Sequence, residues 1–367
     1  MSHRSILIAA LLAIAALAVP AAANAAPRTG AIVFSMVTED HRKQKDPEGK
    51  ELPAKAPEGG IYAVRDRHLN QLTEDPADTE PSFSADGRTI AFVRGGDVFT
   101  MRADGTGQRQ LTSGLEIDSR PQVSPNNRYV LFERRTGKDA PRDLYTVKVG
   151  GGAPHPLAAT PNDEHEASIS PDGCTIVFVR SVVRPGGGSA DDIYSVRPAG
   201  IRLRRLTNTP GLDEFAPRDL DETIVFSRGE STEGPSAYAD IYSIGEEGKH
   251  LRKLIAGAGS SFVEDAAAGG RTLLFRRDQG LWVKQLGGRG RKLTDLPDNS
   301  ETNSVFSSDG RQVAAFTATK EGQSISVIDA ATGRGSYAQV VGSGEEGAEV
   351  KTTIGPVITW QPVPHSR

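Results

Sequence analysis

Residues 81–112, PSFSADGRTIAFVRGGDVFTMRADGTGQRQLT, decide the fold, because this stretch returns in degenerate form along almost the whole chain. Self-similarity at a period of roughly 40–50 residues marks stacked supersecondary units of four short strands each. Four columns carry the repeat. A Ser-x-Asp-Gly-type turn stands at Ser84-Ala85-Asp86-Gly87, Ser124-Pro125-Asn126-Asn127, Ser170-Pro171-Asp172-Gly173 and Ser307-Ser308-Asp309-Gly310, and decays to Asp221-Glu222 and Gly269-Gly270 in two copies. An apolar strand follows: Ile90-Ala91-Phe92-Val93, Val130-Leu131-Phe132, Ile176-Val177-Phe178-Val179, Ile224-Val225-Phe226, Leu273-Leu274-Phe275 and Val313-Ala314-Ala315-Phe316. Next comes an alternating strand, often led by Asp, as in Asp97-Val98-Phe99, Asp143-Leu144-Tyr145, Asp192-Ile193-Tyr194 and Asp240-Ile241-Tyr242, with Leu281-Trp282 as a variant. Gln110-Leu111-Thr112, Arg205-Leu206-Thr207 and Lys292-Leu293-Thr294 close the unit.

Asp-Gly and Asn-Asn tolerate the positive φ that tight hairpins require. The second strand is apolar on nearly every residue, as suits a strand covered on both faces. The third alternates, so one face can meet a neighbour. No long window shows helical periodicity beyond the N-terminus. The expected class is all-β, a β-propeller whose small blades pack radially and leave only short edges. A seventh apolar strand at Ala31-Ile32-Val33-Phe34 lacks a first strand before it, and one occurs instead at Pro356-Val357-Ile358-Thr359-Trp360-Gln361-Pro362. Seven blades are therefore expected, the ring closed by the C-terminal strand, with Trp360 in the column of Phe83 and Phe306. Six is the alternative, should the copies near 260–294 or at the end be incomplete. The aromatic column Tyr62, Phe99, Tyr145, Tyr194, Tyr242 and Trp282, one per blade, is expected between blades.

These columns resemble the TolB-like, PD40-type propeller repeat, a relative of WD40, over about residues 31–362. The resemblance implies a propeller and an envelope location. No segment resembles TolB's separate N-terminal α/β domain, since Ala31 already lies in the first blade. The propeller is also similar to the non-catalytic part of prolyl-oligopeptidase-type enzymes, without a G-x-S-x-G elbow. Some propeller lyases resemble it too, and hold a metal with histidines from different blades.

Residues 1–25 read as a secretory signal peptide: His3 and Arg4, an apolar run from Ile6 to Val19, and Ala23-Asn24-Ala25 as an A-x-A cleavage site. Residues 26–367 form the single propeller domain. The apolar run is short for a membrane span, and no integral span is expected after cleavage. The 43 Lys and Arg face 47 Asp and Glu, and loss of Arg4 leaves 42 against 47, a net charge of −5. That balance argues against nucleic acid, whose binding rests on a basic surface. Cys174 is the single cysteine, so no intrachain disulfide forms and strand pairing must close the ring. It follows a tight turn, where exposure is expected.

Recognition tends to sit on loops carried by a rigid scaffold. The largest insertion, 36–59, falls between the second and third strands of the first blade. Insertions at 134–142, 182–191 (with Pro185-Gly186-Gly187-Gly188) and 229–239 occupy the same slot, so all four project from one face. Three residues ahead of the Pro81 column stand Asp78, Asp118, Glu164, Asp213 and Glu301, with Ser261 in the sixth copy. On innermost strands these acids, with His165, are expected either to ring the channel mouth as a cation or basic-ligand site, or to tie blades together through backbone amides. The histidines show no H-x₃-H or H-E-x-x-H spacing. Glu164-His165-Glu166 alone has local ligand character. No catalytic residue, cofactor or metal is assigned. The expected function is an exported, monomeric, non-catalytic scaffold that binds a protein, peptide or envelope polymer. A metal-dependent polysaccharide lyase or hydrolase working at the channel mouth, or a structural envelope component, are the alternatives.

Overall fold

The Ser-x-Asp-Gly turn closes on its own side chains. Ser84 Oγ donates to Asp86 Oδ1 (2.6 Å) and accepts from the Thr89 amide (3.0 Å), while Asp86 Oδ1 accepts from the Arg88 amide (3.1 Å). Gly87 takes the positive φ, 67°, and Asn127 does so at 55° in the next copy. The same bonds recur in the turns after Ser124, Ser170 and Ser307. The closing Leu-Thr has an equally local reason. Thr112 Oγ1 accepts from the Val98 amide (2.8 Å), as Thr207 does from Ile193 (2.8 Å) and Thr73 from Ile61 (2.9 Å), tying each short outer strand to the third.

The computed structural model describes residues 30–40, 56–65, 68–158, 160–183, 189–220, 223–229, 238–255, 259–267, 271–297, 301–307, 309–319, 322–338 and 350–360. The leader at 1–25, the centre of the 36–59 insertion, Pro185-Gly186-Gly187-Gly188, Asp221-Glu222 and Gly269-Gly270 lie outside these residues. Within them the strands form seven antiparallel sheets of four, and no helix. Innermost strands are Asp78–Phe83 in blade 2, Ile117–Val123 in blade 3, Glu164–Ile169 in blade 4, Asp213–Asp219 in blade 5, Ser261–Ala266 in blade 6 and Glu301–Phe306 in blade 7. Blade 1 takes its innermost strand from the C-terminus, Val350–Trp360, followed by Ile32–Asp40, Glu58–Arg65 and His68–Gln71. Blades 6 and 7 both have four strands, so the ring has seven blades and not six.

Closure follows the expected register. Ile32 pairs with Trp360, Val33 with Thr359 and Phe34 with Ile358, and Trp360 matches Phe83 opposite Ile90 and Phe306 opposite Val313. The closing strand is longer than the sequence reading gave it. Past a bulge it runs on to pair Asp40 with Val350, carried by the β-branched residues of Val350-Lys351-Thr352-Thr353-Ile354. Both ends of the 36–59 insertion are likewise strand, with Thr38 opposite Glu58.

The core lies between blades. Phe34, Phe92, Phe132, Phe178, Phe226 and Phe316, one from each of six second strands, are fully buried. Val33 and Ile61 of blade 1 pack on Ile90 and Phe92 of blade 2, and Ala91 and Val98 of blade 2 on Val130 and Phe132 of blade 3. The third-strand aromatics depart from expectation. Tyr194 is buried, while Tyr62, Phe99, Tyr145, Tyr242 and Trp282 are only half-buried. Strict register sets each opposite the phenylalanine of its own second strand, so the two rings stack within one blade, with centroids 5.6–6.3 Å apart.

Candidate functional site

In an antiparallel four-stranded blade the first-to-second and third-to-fourth turns share one end. The second-to-third loops and the crossovers to the next blade share the other. The four insertions therefore stand on one side of the disc, the insertion face, together with the starts of the innermost strands. The opposite side is the turn face.

Register decides what the acidic column does. Asp78 pairs with Arg94, Asp118 with Arg134 and Glu164 with Arg180 across the first two strands. Asp78 is buried and takes two bonds from Arg94, at 2.6 and 2.7 Å; Asp118 is buried and takes two from Arg134, at 2.7 and 2.9 Å. Buried Glu164 accepts from Arg180 Nε at 2.9 Å. Each guanidinium also lies over the blade's two stacked rings, Arg180 at 5.6 Å from Phe178 and 4.4 Å from Tyr194. The electronegative ring expected around the mouth is therefore not formed by these residues. An arginine two residues after the second-strand phenylalanine turns each carboxylate into its own blade, through a bidentate pair at Asp78 and Asp118 and a single Nε bond at Glu164.

Blade 5 corrects the column by one residue. Glu214, not Asp213, pairs with Arg228, at 2.9 Å from Nε, and it is buried. Half-buried Asp213 instead accepts from the Asp191 amide at 3.2 Å. Glu301 heads its strand opposite Ala318, with no arginine in register, and its side chain lies outside the described residues.

Glu164 has a further contact. Its Oε1 takes Thr160 Oγ1 (2.5 Å) and Arg180, and Asp143 of blade 3 acts on the same carboxyl. Glu164 Oε2 and Asp143 Oδ1 are both buried without a hydrogen-bond partner. Burial, with Asp143 adding to it, pushes Glu164 up to about 8 against the pull of Thr160 and Arg180.

Blades are joined by a second set of acids. Each innermost strand of blades 2 to 5 bulges at a non-glycine residue with φ of 51–53°: Glu80, Arg120, Glu166 and Ala216. Three of the bulged amides donate to carboxylates of the preceding blade. Glu80 accepts from the Arg120 amide, Glu133 from Glu166 (2.8 Å) and Glu166 from Ala216 (2.7 Å). Glu264 and Asp265 of blade 6 do the same for Ser304 (3.1 Å) and Phe306 (2.8 Å) of blade 7. Burial raises Glu264 to about 7. Apart from Asp213, which takes the Asp191 amide, the acid-to-amide role expected of the first column belongs to other acids. Its signal was the residue two places later, as in Asp78-Thr79-Glu80 and Glu164-His165-Glu166.

His165 is buried at the seam of blades 3 and 4. Its Nε2 stands 3.9 Å from both Asp163 Oδ2 and Asp191 Oδ2, and Nδ1 is buried without a partner. Burial, then the nearby Arg142, lowers its affinity for a proton, so the ring is neutral near pH 7. Burial opposes ionisation of Asp163, yet Arg142, bonded through its amide (2.6 Å) and guanidinium, holds the carboxyl below its usual range. Asp191 accepts from Ser181 Oγ at 2.6 Å and is raised by burial. Asp163 and Asp191 are thus held by Arg142 and Ser181, and among the described residues no three His, Cys, Asp or Glu side chains converge to hold a metal ion. The described residues do not fit the metal of the lyase reading.

No family model and no curated protein matches the chain. Solved structures do. TolB from Acinetobacter baumannii is similar at TM-score 0.53 and 16% identity, over 84% of this chain and 80% of that one. An oligogalacturonate lyase from Vibrio parahaemolyticus gives 0.60 and 12%, over 81% and 91%. The β-propeller domain of the Trilobed protease from Pyrococcus furiosus gives 0.59 and 11%, over 86% and 93%. The chain shares the TolB-like propeller fold with them.

Proposed function

We propose that the chain is an exported binding scaffold, without chemistry of its own, that receives a protein, peptide or envelope polymer on its insertion face. The observation that carries this reading is where that face exposes apolar surface. Leu115, 97% exposed, and Ile117 precede or open blade 3, Val183 ends the second strand of blade 4, and Tyr238, 68% exposed, precedes the third strand of blade 5. Together they follow the rim from blade 3 to blade 5 beside Asp163, Asp191 and Asp213. Exposed aromatic and aliphatic side chains beside hydrogen-bonding groups are the makings of a recognition surface. The buried acids of the inner ring are committed to arginines and amides, which favours a rigid platform over a reactive channel.

A peptide-display selection on the 26–367 chain tests the reading. Selected ligands should bind at least about tenfold more weakly to a variant carrying Leu115→Ser, Val183→Ser and Tyr238→Ser, with unchanged melting temperature. Equal affinity would remove the insertion face from the account. Cleavage of a uronate glycan with manganese present, abolished by His165→Ala, would replace the scaffold with the lyase reading.

A further inference from the structure

The turn face exposes apolar residues of its own. In blade 2 the third-to-fourth turn runs Gly105-Thr106-Gly107-Gln108-Arg109, and Gly107 takes φ +66° at no steric cost. Blade 4 has Gly200-Ile201-Arg202-Leu203-Arg204 at these positions, and blade 5 has Gly248-Lys249-His250-Leu251-Arg252. Arg202 (φ 58°) and His250 (φ 61°) hold a left-handed conformation that a side chain makes unfavourable. The residue after each, glutamine in blade 2, is a leucine exposed to solvent: Leu203 at 44% and Leu251 at 46%, beside Ile201 at 59%. None of these side chains belongs to a core cluster, so packing does not account for them. The two turns are neighbours. Gly248 packs on the Leu206 carbonyl of blade 4, where an added Cβ would come within 3.2 Å, and Arg204 acts on Glu247.

Cations surround the apolar tips. Arg202, Arg204, Lys249 and Arg252 are all exposed. Of the two acids on the blade 5 turn, Glu247 is paired with Lys249 at 3.0 Å, and Glu246 is half-buried. The same face carries the exposed column Arg88, Arg128, Arg271 and Arg311, and the turn acids beside Arg88 and Arg311, Asp86 and Asp309, accept backbone amides. A chain that is net acidic therefore gathers positive charge on one side.

We propose that the turn face docks on an anionic lipid bilayer, with Ile201, Leu203 and Leu251 entering the headgroup region and the flanking cations meeting lipid phosphates. Charge selects the anionic surface. The aliphatic tips favour a bilayer over a hydrated polyanion, which offers them nothing to enter. A second copy is disfavoured turn face to turn face, since both carry the same sign. Such docking leaves the insertion face pointing away from the membrane, open to a partner.

The test is flotation of the 26–367 chain with phosphatidylcholine vesicles, with and without phosphatidylglycerol. Those residues hold every described strand and lack the apolar leader that would itself bind lipid. Binding is expected with phosphatidylglycerol only, and to fade as salt rises. Replacing Ile201, Leu203 and Leu251 by Ser should weaken it about tenfold. Replacing Arg202, Arg204, Lys249 and Arg252 by Ser should weaken it roughly a hundredfold. Melting temperatures should not change, because all seven side chains are exposed. The insertion-face variant Leu115→Ser, Val183→Ser and Tyr238→Ser should float like the parent, so failure here and failure of the scaffold reading are distinct. Equal binding to neutral vesicles would overturn the proposal. So would full vesicle binding by the aliphatic variant together with tight binding of soluble dextran sulfate, which would make the face a polyanion site. Self-association lost in the same variants, with no flotation, would make it a contact between copies.

Discussion

Blades 2 to 5 and the closing seam of blades 7 and 1 solve one packing problem in different ways. In blades 2 to 5 a charged row crosses each sheet. An innermost acid meets the second-strand arginine, which faces a third-strand Asp in register, as in Glu214–Arg228–Asp240 and Asp118–Arg134–Asp143. At the arginine position blade 1 has Met36 and blade 7 has Ala318. Met36 is buried in an apolar cluster with Ile32, Phe34, Phe316, Ile325 and Ile358. The difference teaches where the ring can tolerate loss. A charged row fixes geometry but leaves a stranded ion if one partner goes, whereas the apolar seam depends on chain ends that carry no covalent link.

The largest effect should come from that seam. Deleting residues 350–367 strips the innermost strand from blade 1 and leaves Ile32–Asp40 as an open edge, an aggregation hazard. Size-exclusion chromatography should show aggregate and no folded monomer. A monomer with the parent melting temperature would refute the closure. Next in size, Arg228→Ala should cost about 3–5 kcal/mol in urea unfolding, because it strands buried Glu214. Met36→Ala creates only a cavity, and cosubstitution cannot rescue it, whereas Glu214→Leu should restore much of the Arg228→Ala loss. An unrescued double variant would show that the row is not a pair.

How much of this was legible follows from the period of each signal. The turns, the apolar strand and the closing strand repeat in sequence with local causes, such as the Ser84–Asp86 bond, so the seven blades could be read directly. The acids were visible but their partners were not, because Arg94 and Asp78 are 16 residues apart and meet only once register is fixed. In blade 5 Pro217 holds the Pro81 column, with the bulge one residue earlier as in blades 2 to 4, so the acid in register is Glu214 and Asp213 stands one place too far upstream. His165 stands out through its acidic neighbours, while Asp163 and Arg142 come from loops and Asp191 from a third strand, which no repeat links.

Protons sharpen the comparison further. Glu164 and Glu264 are raised by burial to about 8 and about 7, so the folded ring keeps protons that the unfolded chain releases near 4.5. Their stabilisation is complete below that ordinary value and is lost as pH climbs through about 7 and 8. The melting temperature should therefore fall by a few degrees between about pH 5 and pH 8.5. Glu164→Gln, which keeps the neutral shape, should flatten part of that slope; an unchanged slope would detach Glu164 from it. The smallest effect lies at the row's outer end. Lys253 meets Asp240 at 2.6 Å but is exposed, so Lys253→Ala should leave the urea midpoint unchanged.

The central claim is that the innermost acids of blades 2 to 5 serve the ring through their arginines. A double-mutant cycle on Asp118 and Arg134, followed by urea unfolding, tests it most directly. Arg134→Ala should cost about 3–5 kcal/mol, and Arg134→Ala with Asp118→Ala should cost less than the two single losses together by about 2 kcal/mol or more. Losses that add to within about 0.5 kcal/mol would contradict the account and return Asp118 to the channel mouth as a free carboxylate.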